Sequence, residues 1–331
     1  VAGRRRGRGV INLISPVGYV LAGEEHPAPD LIRYGTRAEE VGFSFLFVSD
    51  HFHPWNHQQG HASSVWPVLG SLCSNTSRAL LISAVTCPIL RFHMTTLAQA
   101  AATVQTLSEG RFVLGLGTGE NLNEHIAGRG WPGFSERLDR LEEAVEFLRH
   151  LLTGEEVSRK GRYFTVERAQ LFNAPASMPV ALAASGPRAA ATAGRLGDAL
   201  ISLGDDPSTV EQFLTAGGQG KPKWTQISVC WANDLAEARR TAHRLWPVVA
   251  LDDKLFAHLE TPADFEKACA PITEEDVAAA IVCGPDPLRY RAAINACLAA
   301  GFDGVALHQI GPDQEGFFDF WQRELKPYYG A

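Results

Sequence analysis

The sequence predicts an α/β fold of the (β/α)8 TIM-barrel class, with insertion regions. Three observations carry that prediction. Eight short apolar or β-branched runs recur along the chain, segments of helical period lie between them, and no proline-, glycine- or serine-rich linker divides the 331 residues. Strands that alternate with helical crossovers make a parallel sheet covered by helices. An open doubly wound sheet is the alternative, but it usually stops at roughly five to seven strands, so the eighth run favours closure.

In chain order the strands are expected at Val10–Ile14, Phe45–Val48, Leu80–Val85, Phe112–Leu116, Val180–Ala184, Leu200–Leu203, Ile227–Trp231 and Val305–His308. Leu138, Leu141, Val145, Leu148 and Leu152 recur at three and four, the stripe of a helix packed on a sheet. Ala292, Ala293, Ala296 and Ala299 repeat the pattern with small residues suited to close approach. Lys221–Lys223 and Trp246–Thr273 read as loop-rich insertions over the barrel mouth, the second a lid before the last strand. Residues 10–331 are expected to form one domain. Residues 1–9, with Arg4, Arg5, Arg6 and Arg8, read as a disordered leader.

Composition narrows the function. A net charge of −7 supplies no basic field for nucleic acid or anionic lipid. No apolar run reaches the roughly 18 residues of a membrane span, and no signal-peptide pattern follows the arginines. The six cysteines are scattered without C-x-x-C spacing, which favours reduced thiols in the cytoplasm over disulfides or zinc.

The chemistry concentrates at strand ends. Ser49-Asp50-His51-Phe52-His53-Pro54-Trp55 follows the second strand directly. There a histidine can act as general acid or base, and a carboxylate can hydrogen-bond a ligand edge. The bland alternative is an aspartate capping the next helix. His51, His53, His57 and His61 invite a metal reading, but Pro54 and Gly60 make the stretch a loop with no natural third ligand, so no metal is expected. The fourth strand ends in Gly115-Leu116-Gly117-Thr118-Gly119-Glu120-Asn121-Leu122-Asn123. Its spacing is not the dinucleotide G-x-G-x-x-G, yet Glu120 is a proton-donor candidate and Asn123 an amide clamp; a tight turn with a capping carboxylate is the rival reading. After the fifth strand, Ala183-Ala184-Ser185-Gly186-Pro187 could offer helix-start N–H groups and a hydroxyl to phosphate, or be a plain turn. Ala84-Val85-Thr86-Cys87-Pro88 ends the third strand and by itself says only that the strand stops at a proline.

In this order, these segments resemble the luciferase-like superfamily, and within it the coenzyme F420-dependent glucose-6-phosphate dehydrogenase branch. The resemblance runs from about Asp30 to Tyr328. Trp131-Pro132 with Phe134, Glu136 and Arg137, and Ala193-Gly194-Arg195 with Gly197-Asp198, add to it. It implies a luciferase-like TIM barrel, usually a homodimer, acting on a small-molecule substrate with coenzyme F420. It carries His51 onto the catalytic histidine, Glu120 onto the acid near the deazaflavin ring nitrogen, and Trp55 onto the tryptophan that steadies substrate against cofactor. Asp50 matches the residue that orients the ring. The Ala84–Val85 bond matches a cis peptide against the deazaflavin. Thr118, Gly119 and Asn123 would line the ring and its side chain, with Ala183, Ala184, Ser185 and Gly186 near the cofactor phosphate. Glu24, Leu203, Asp206 and Lys267 fall on the substrate side.

Departures from the branch matter here. Where its pattern has threonine and lysine after Ser202, this chain has Leu203 and Asp206, and Asp205 beside Asp206 would repel a phosphate dianion. Glucose 6-phosphate is therefore not the expected substrate, although Lys267, and more loosely Arg291, could match other cationic positions. An F420-dependent oxidoreductase of a less charged or cationic molecule is expected, as a reductase of a C=O, C=N or C=C group in a biosynthetic pathway. An F420-dependent sugar-phosphate or alcohol dehydrogenase, an FMN-dependent monooxygenase and a non-catalytic barrel are the alternatives.

Overall fold

A computed structural model describes residues 14–330, with only the backbone of residues 253 and 254. Eight strands pair in parallel around a closed ring: β1 Val17–Leu21, β2 Phe45–Val48, β3 Leu80–Ser83, β4 Phe112–Leu116, β5 Val180–Ala183, β6 Ala199–Leu203, β7 Lys223–Cys230 and β8 Gly304–Gln309. Closure runs through β8 pairing with β1, Val17 opposite Val305. Every strand sends residues inward: Val20, Phe45 and Phe47, Ile82, Val113, Ala181, Ala199 and Ile201, Trp224 and Ala306 fill the barrel. Because side chains alternate along a strand, the neighbours of these residues face outward and form a second core with the surrounding helices.

Seven of the eight expected strands lie where the sequence places them, within a few residues at each end. The first does not. Residues 10–13, like the leader 1–9, lie outside the described residues, and Ile14 sits exposed in a bend. The strand is Val17–Leu21, hidden in the sequence by the glycine in Val-Gly-Tyr-Val-Leu. That glycine is required by packing: a Cβ on Gly18 would stand 2.4 Å from the Phe45 ring.

The helix Phe134–Leu151 buries Leu138, Leu141, Val145 and Leu148 as its stripe predicts. The alanine stripe is corrected. In the helix Pro287–Ala299 the buried face is Tyr290, Ile294 and Cys297, while Ala292, Ala296 and Ala299 are exposed. Alanine suits either face, so the large apolar residues decide.

Lys221–Lys223 is also corrected: it leads into the start of β7, at the opposite end of the barrel from the mouth. Trp246–Thr273 does lie between β7 and β8, but it is helical rather than loop-rich, with a capped helix at Pro262–Cys269. Its buried residues join Trp55 and Leu122 in a third core above the barrel. An antiparallel hairpin, Val157–Lys160 with Thr165–Ala169, is a further insertion between β4 and β5. Among the described residues no helix is long and apolar enough to cross a membrane.

Candidate active site

The carboxyl ends of a parallel barrel's strands share one face, and the loops after β1, β2 and β4 converge on His51 there. Its Nε2 lies 3.3 Å from Oε1 of Glu24, after β1, and 3.5 Å from Oε2 of Glu120, after β4. Glu24 is sealed, its side chain 3% exposed, and its Oε2 accepts a 2.6 Å hydrogen bond from the Ser49 hydroxyl. Glu120 keeps about a third of its side chain open. On the other side of the ring, Nδ1 is 3.2 Å from the His53 carbonyl and 3.1 Å from the Asn123 amide nitrogen.

Burial on its own would lower the His51 pKa. The carboxylates of Glu24 and Glu120, then the His53 carbonyl and Asp50, together outweigh it and raise the pKa above the ordinary imidazole value. Burial also raises Glu120, reinforced by Glu24 and opposed by His51, Asn123 and Arg91.

Asn123 is spent inside the site. Its Oδ1 accepts from the backbone N–H of Phe52 at 2.8 Å and His53 at 3.1 Å, and its amide donates to Glu120 at 3.2 Å. It clamps the β2 and β4 ends together, beside the cofactor role that the resemblance implies for it. Trp55 packs edge-on against His51 with centroids 4.9 Å apart, and Phe256 and Phe265 of the insertion close over its far side.

Asp50 is buried in a salt-bridge cluster that the sequence did not reveal. Arg91 reaches Asp50 Oδ1 at 3.1 Å and the Asp50 carbonyl at 3.2 Å, and its Nε meets Glu124 at 3.3 Å. Asp50 Oδ2 remains buried with no hydrogen-bond partner among the described residues, an acceptor available to a ligand. At the end of β3, where the Ala84 N–H donates to the Val48 carbonyl, the Ala84–Val85 peptide is cis.

The glycines after β4 serve that loop. A Cβ on Gly117 would stand 2.6 Å from Val85, and one on Gly119, at φ +75°, 2.4 Å from Cys87. Thr118 is half-buried between them. At the β5 end Ala184 is buried, Ala183 and Gly186 are half-buried and Ser185 is exposed. The helix Pro187–Leu196 begins there without a side-chain cap, which leaves its first N–H groups to a ligand or water.

The substrate-side assignments fare differently. Glu24 is His51's partner rather than an open surface. Leu203 stands 64% exposed at the end of β6, an apolar side chain at the mouth. Asp206 caps the helix Pro207–Phe213, accepting from the Ser208 N–H and the hydroxyls of Ser208 and Thr209; those bonds lower its pKa. Lys267 is not brought to the site: it is exposed on the side of its helix away from Phe265, which faces Trp55. The histidine run disperses as well. His57 pairs with Glu266, and His53 turns to the Leu122 carbonyl.

Fold and geometry thus define a barrel with a histidine between two glutamates at its mouth, near a buried carboxylate oxygen without a partner among the described residues. The luciferase-like monooxygenase family model matches residues 13–304. The chain belongs to that luciferase-like family, in its F420-dependent branch. It is 33% identical to an F420-dependent glucose-6-phosphate dehydrogenase of Nakamurella multipartita, across 94% of this chain and 95% of that one. It is 34% identical to the enzyme of that name from Rhodococcus hoagii, across 94% and 96%. Among solved structures, an F420-dependent secondary alcohol dehydrogenase in complex with an F420–acetone adduct superposes with a TM-score of 0.87 at 26% identity, covering 94% of this chain and 98% of that one. The F420-dependent tetrahydromethanopterin reductase of Methanopyrus kandleri shares the fold at a TM-score of 0.77 and 21% identity.

Proposed function

We propose that this protein transfers a hydride between coenzyme F420 and a carbon of a small organic substrate that lacks a phosphate dianion, acting as a reductase of a C=O, C=N or C=C group in a biosynthetic pathway. The observation that carries the reading is His51 Nε2 held within 3.5 Å of both Glu24 and Glu120. Bound F420 supplies the carbon that gives or takes the hydride. Asp50 Oδ2, Thr118 and Gly119 would hold its ring system, and Ala183, Ala184, Ser185 and Gly186 the phosphate end.

Hydride transfer leaves one proton to be delivered to, or removed from, the substrate atom. His51 is placed for that proton at Nε2. Glu24 orients the ring, Glu120 exchanges protons with water, and Trp55 with Phe256 and Phe265 excludes water from the far side. Oxidation of an alcohol runs the same groups in reverse, and the likeness to the secondary alcohol dehydrogenase supports it as the second reading.

The chain's own departures carry the substrate class. The β6 end presents Leu203 and the anionic Asp206, and Lys267 faces away. Titration with F420 and with FMN, followed by tryptophan quenching, tests the cofactor: tight F420 and weak FMN binding is expected, and the reverse sinks the reading. Robust reduction of F420 by glucose 6-phosphate would overturn the substrate class.

A further inference from the structure

We infer that Asn56 and Gln59 are positioning residues: a pair of buried amides that locks Trp55 to the end of the helix leading into the insertion over the site. The inference rests on the reading of Trp55 as a wall of the reaction site, and deepens it. The helix Leu235–Leu245 ends at the start of that insertion. A carbonyl in a helix's last turn has no helical N–H to accept. The Leu245 carbonyl instead accepts two side-chain amides, Asn56 Nδ2 and Gln59 Nε2, each at 2.9 Å.

The other ends of the same amides hold the Trp55 segment. Gln59 Oε1 accepts the Trp55 backbone N–H at 2.8 Å, and Asn56 Oδ1 accepts from the N–H groups of Gln58 and Gln59 at 3.0 and 3.1 Å. Both residues are 4% exposed, so their amides depend on these protein partners.

The helix end is itself fastened to the barrel. The Trp246 indole N–H donates to Glu25, whose carboxylate also meets His308 at 3.2 Å and accepts the Gly311 N–H at 2.9 Å. Two adjacent glutamates after β1 thus reach the site by different routes. Glu24 touches His51 directly; Glu25 acts through Trp246, the Leu245 carbonyl and the two amides on Trp55. Apolar packing of Phe256 and Phe265 on Trp55 leaves part of the same seam unfilled, where a cavity of about 370 Å³ opens between Trp55, Asn56, Pro247, Phe265 and Cys269. Directional hydrogen bonds therefore set the register of Trp55 against the insertion.

Asn56→Asp and Gln59→Glu separate the two jobs. Each keeps the oxygen that accepts locally and replaces only the donor to Leu245. In the full chain, the double variant is measured by hydrogen–deuterium exchange of the segments 52–60 and 245–258. Trp55 emission is taken as the difference from Trp55→Phe in the same background. Both segments are expected to exchange about tenfold faster or more, the Trp55 emission to move to longer wavelength, and F420 affinity to stay within about threefold. Trp246→Phe, which touches neither amide, should loosen residues 52–60 as well. Faster exchange at 56–59 alone, or no response of 52–60 to Trp246→Phe, would overturn the inference. If the double variant does not fold, Asn56→Asp alone and Trp246→Phe give the same two outcomes. Exchange needs no cofactor, so failure of the wild type to bind F420 counts against the proposed function and leaves this test intact.

Discussion

Replacing Arg91 with methionine removes the cation that Asp50 and Glu124 share. The Arg91 side chain is 13% exposed, those of Asp50 and Glu124 3% and 0%. Removing one partner of a buried ion pair costs about 3–5 kcal/mol, because the remaining charge stays out of water. Here two carboxylates are stranded, so the upper part of that range applies, a large share of a typical stability of about 5–15 kcal/mol. The pH dependence follows from Glu124. Burial raises its pKa while Arg91 opposes that rise, so without Arg91 it climbs further. A carboxyl group whose folded pKa exceeds its unfolded one binds protons preferentially in the folded state. Stability is then lost as pH rises through the window between the two values. The deficit of Arg91→Met should therefore be largest at about pH 7.5 and shrink towards about pH 5. Urea unfolding at the two pH values reads it directly, and adding Glu124→Gln should recover part of the loss at the higher pH. A deficit below about 1 kcal/mol, or one that does not shrink in acid, would refute the view of Arg91 as a buried counter-ion.

His51→Ala should bind F420 nearly as the wild type does while turnover falls at least ~100-fold, the usual size of acid–base catalysis; titration and steady-state rates check the two halves separately. In its proposed role His51 is the acid of the reductive direction, so the rate should fall as pH rises through its elevated pKa, and in the oxidative direction it should rise; a midpoint below the ordinary imidazole value contradicts that role. Gly117→Ala drives a methyl group into Val85 at 2.6 Å, which should cost about 1–3 kcal/mol of stability and weaken F420 binding, measured by thermal unfolding and titration.

The barrel is legible because each interior run is short, apolar and bounded by turn residues, and parallel strands covered on both faces read as such. Where the pattern fails, a local rule is overridden by packing. Gly18 breaks the apolar run of β1 to make room for Phe45, and the alanines of the helix Pro287–Ala299 carry no preference for either face. Asp50, His51, Trp55 and Glu120 stand out because polar residues end apolar strands at once. Arg91 gives no such signal. It follows the plain segment Pro88-Ile89-Leu90, and its partners lie 41 and 33 residues away. The roles of Glu25, Asn56 and Gln59 are hidden for the same reason, since their partners, Trp246 and the Leu245 carbonyl, are fixed only when the insertion folds back over β1 and β2.

Two glutamates at nearly equal distance from one nitrogen need not do equal work. Glu24 is sealed from water and its second oxygen is taken by Ser49, so a proton passed to it has nowhere to go. It is suited to hold His51 in place and to raise its pKa. Glu120 faces the same nitrogen but stays about one third exposed, and its own raised pKa keeps it protonated over more of the acid range than an ordinary surface glutamate. Of the two carboxylates, this one links His51 Nε2 to solvent without a rearrangement. Glu24→Gln should therefore move the pH midpoint of the reaction downward, because one of the charges that offsets burial is gone. The maximal rate below that midpoint should change little. Glu120→Gln should lower the maximal rate itself, and a small added acid such as formate or imidazole should restore part of it. Rescue of Glu24→Gln by such an acid, with none for Glu120→Gln, would reverse the two roles.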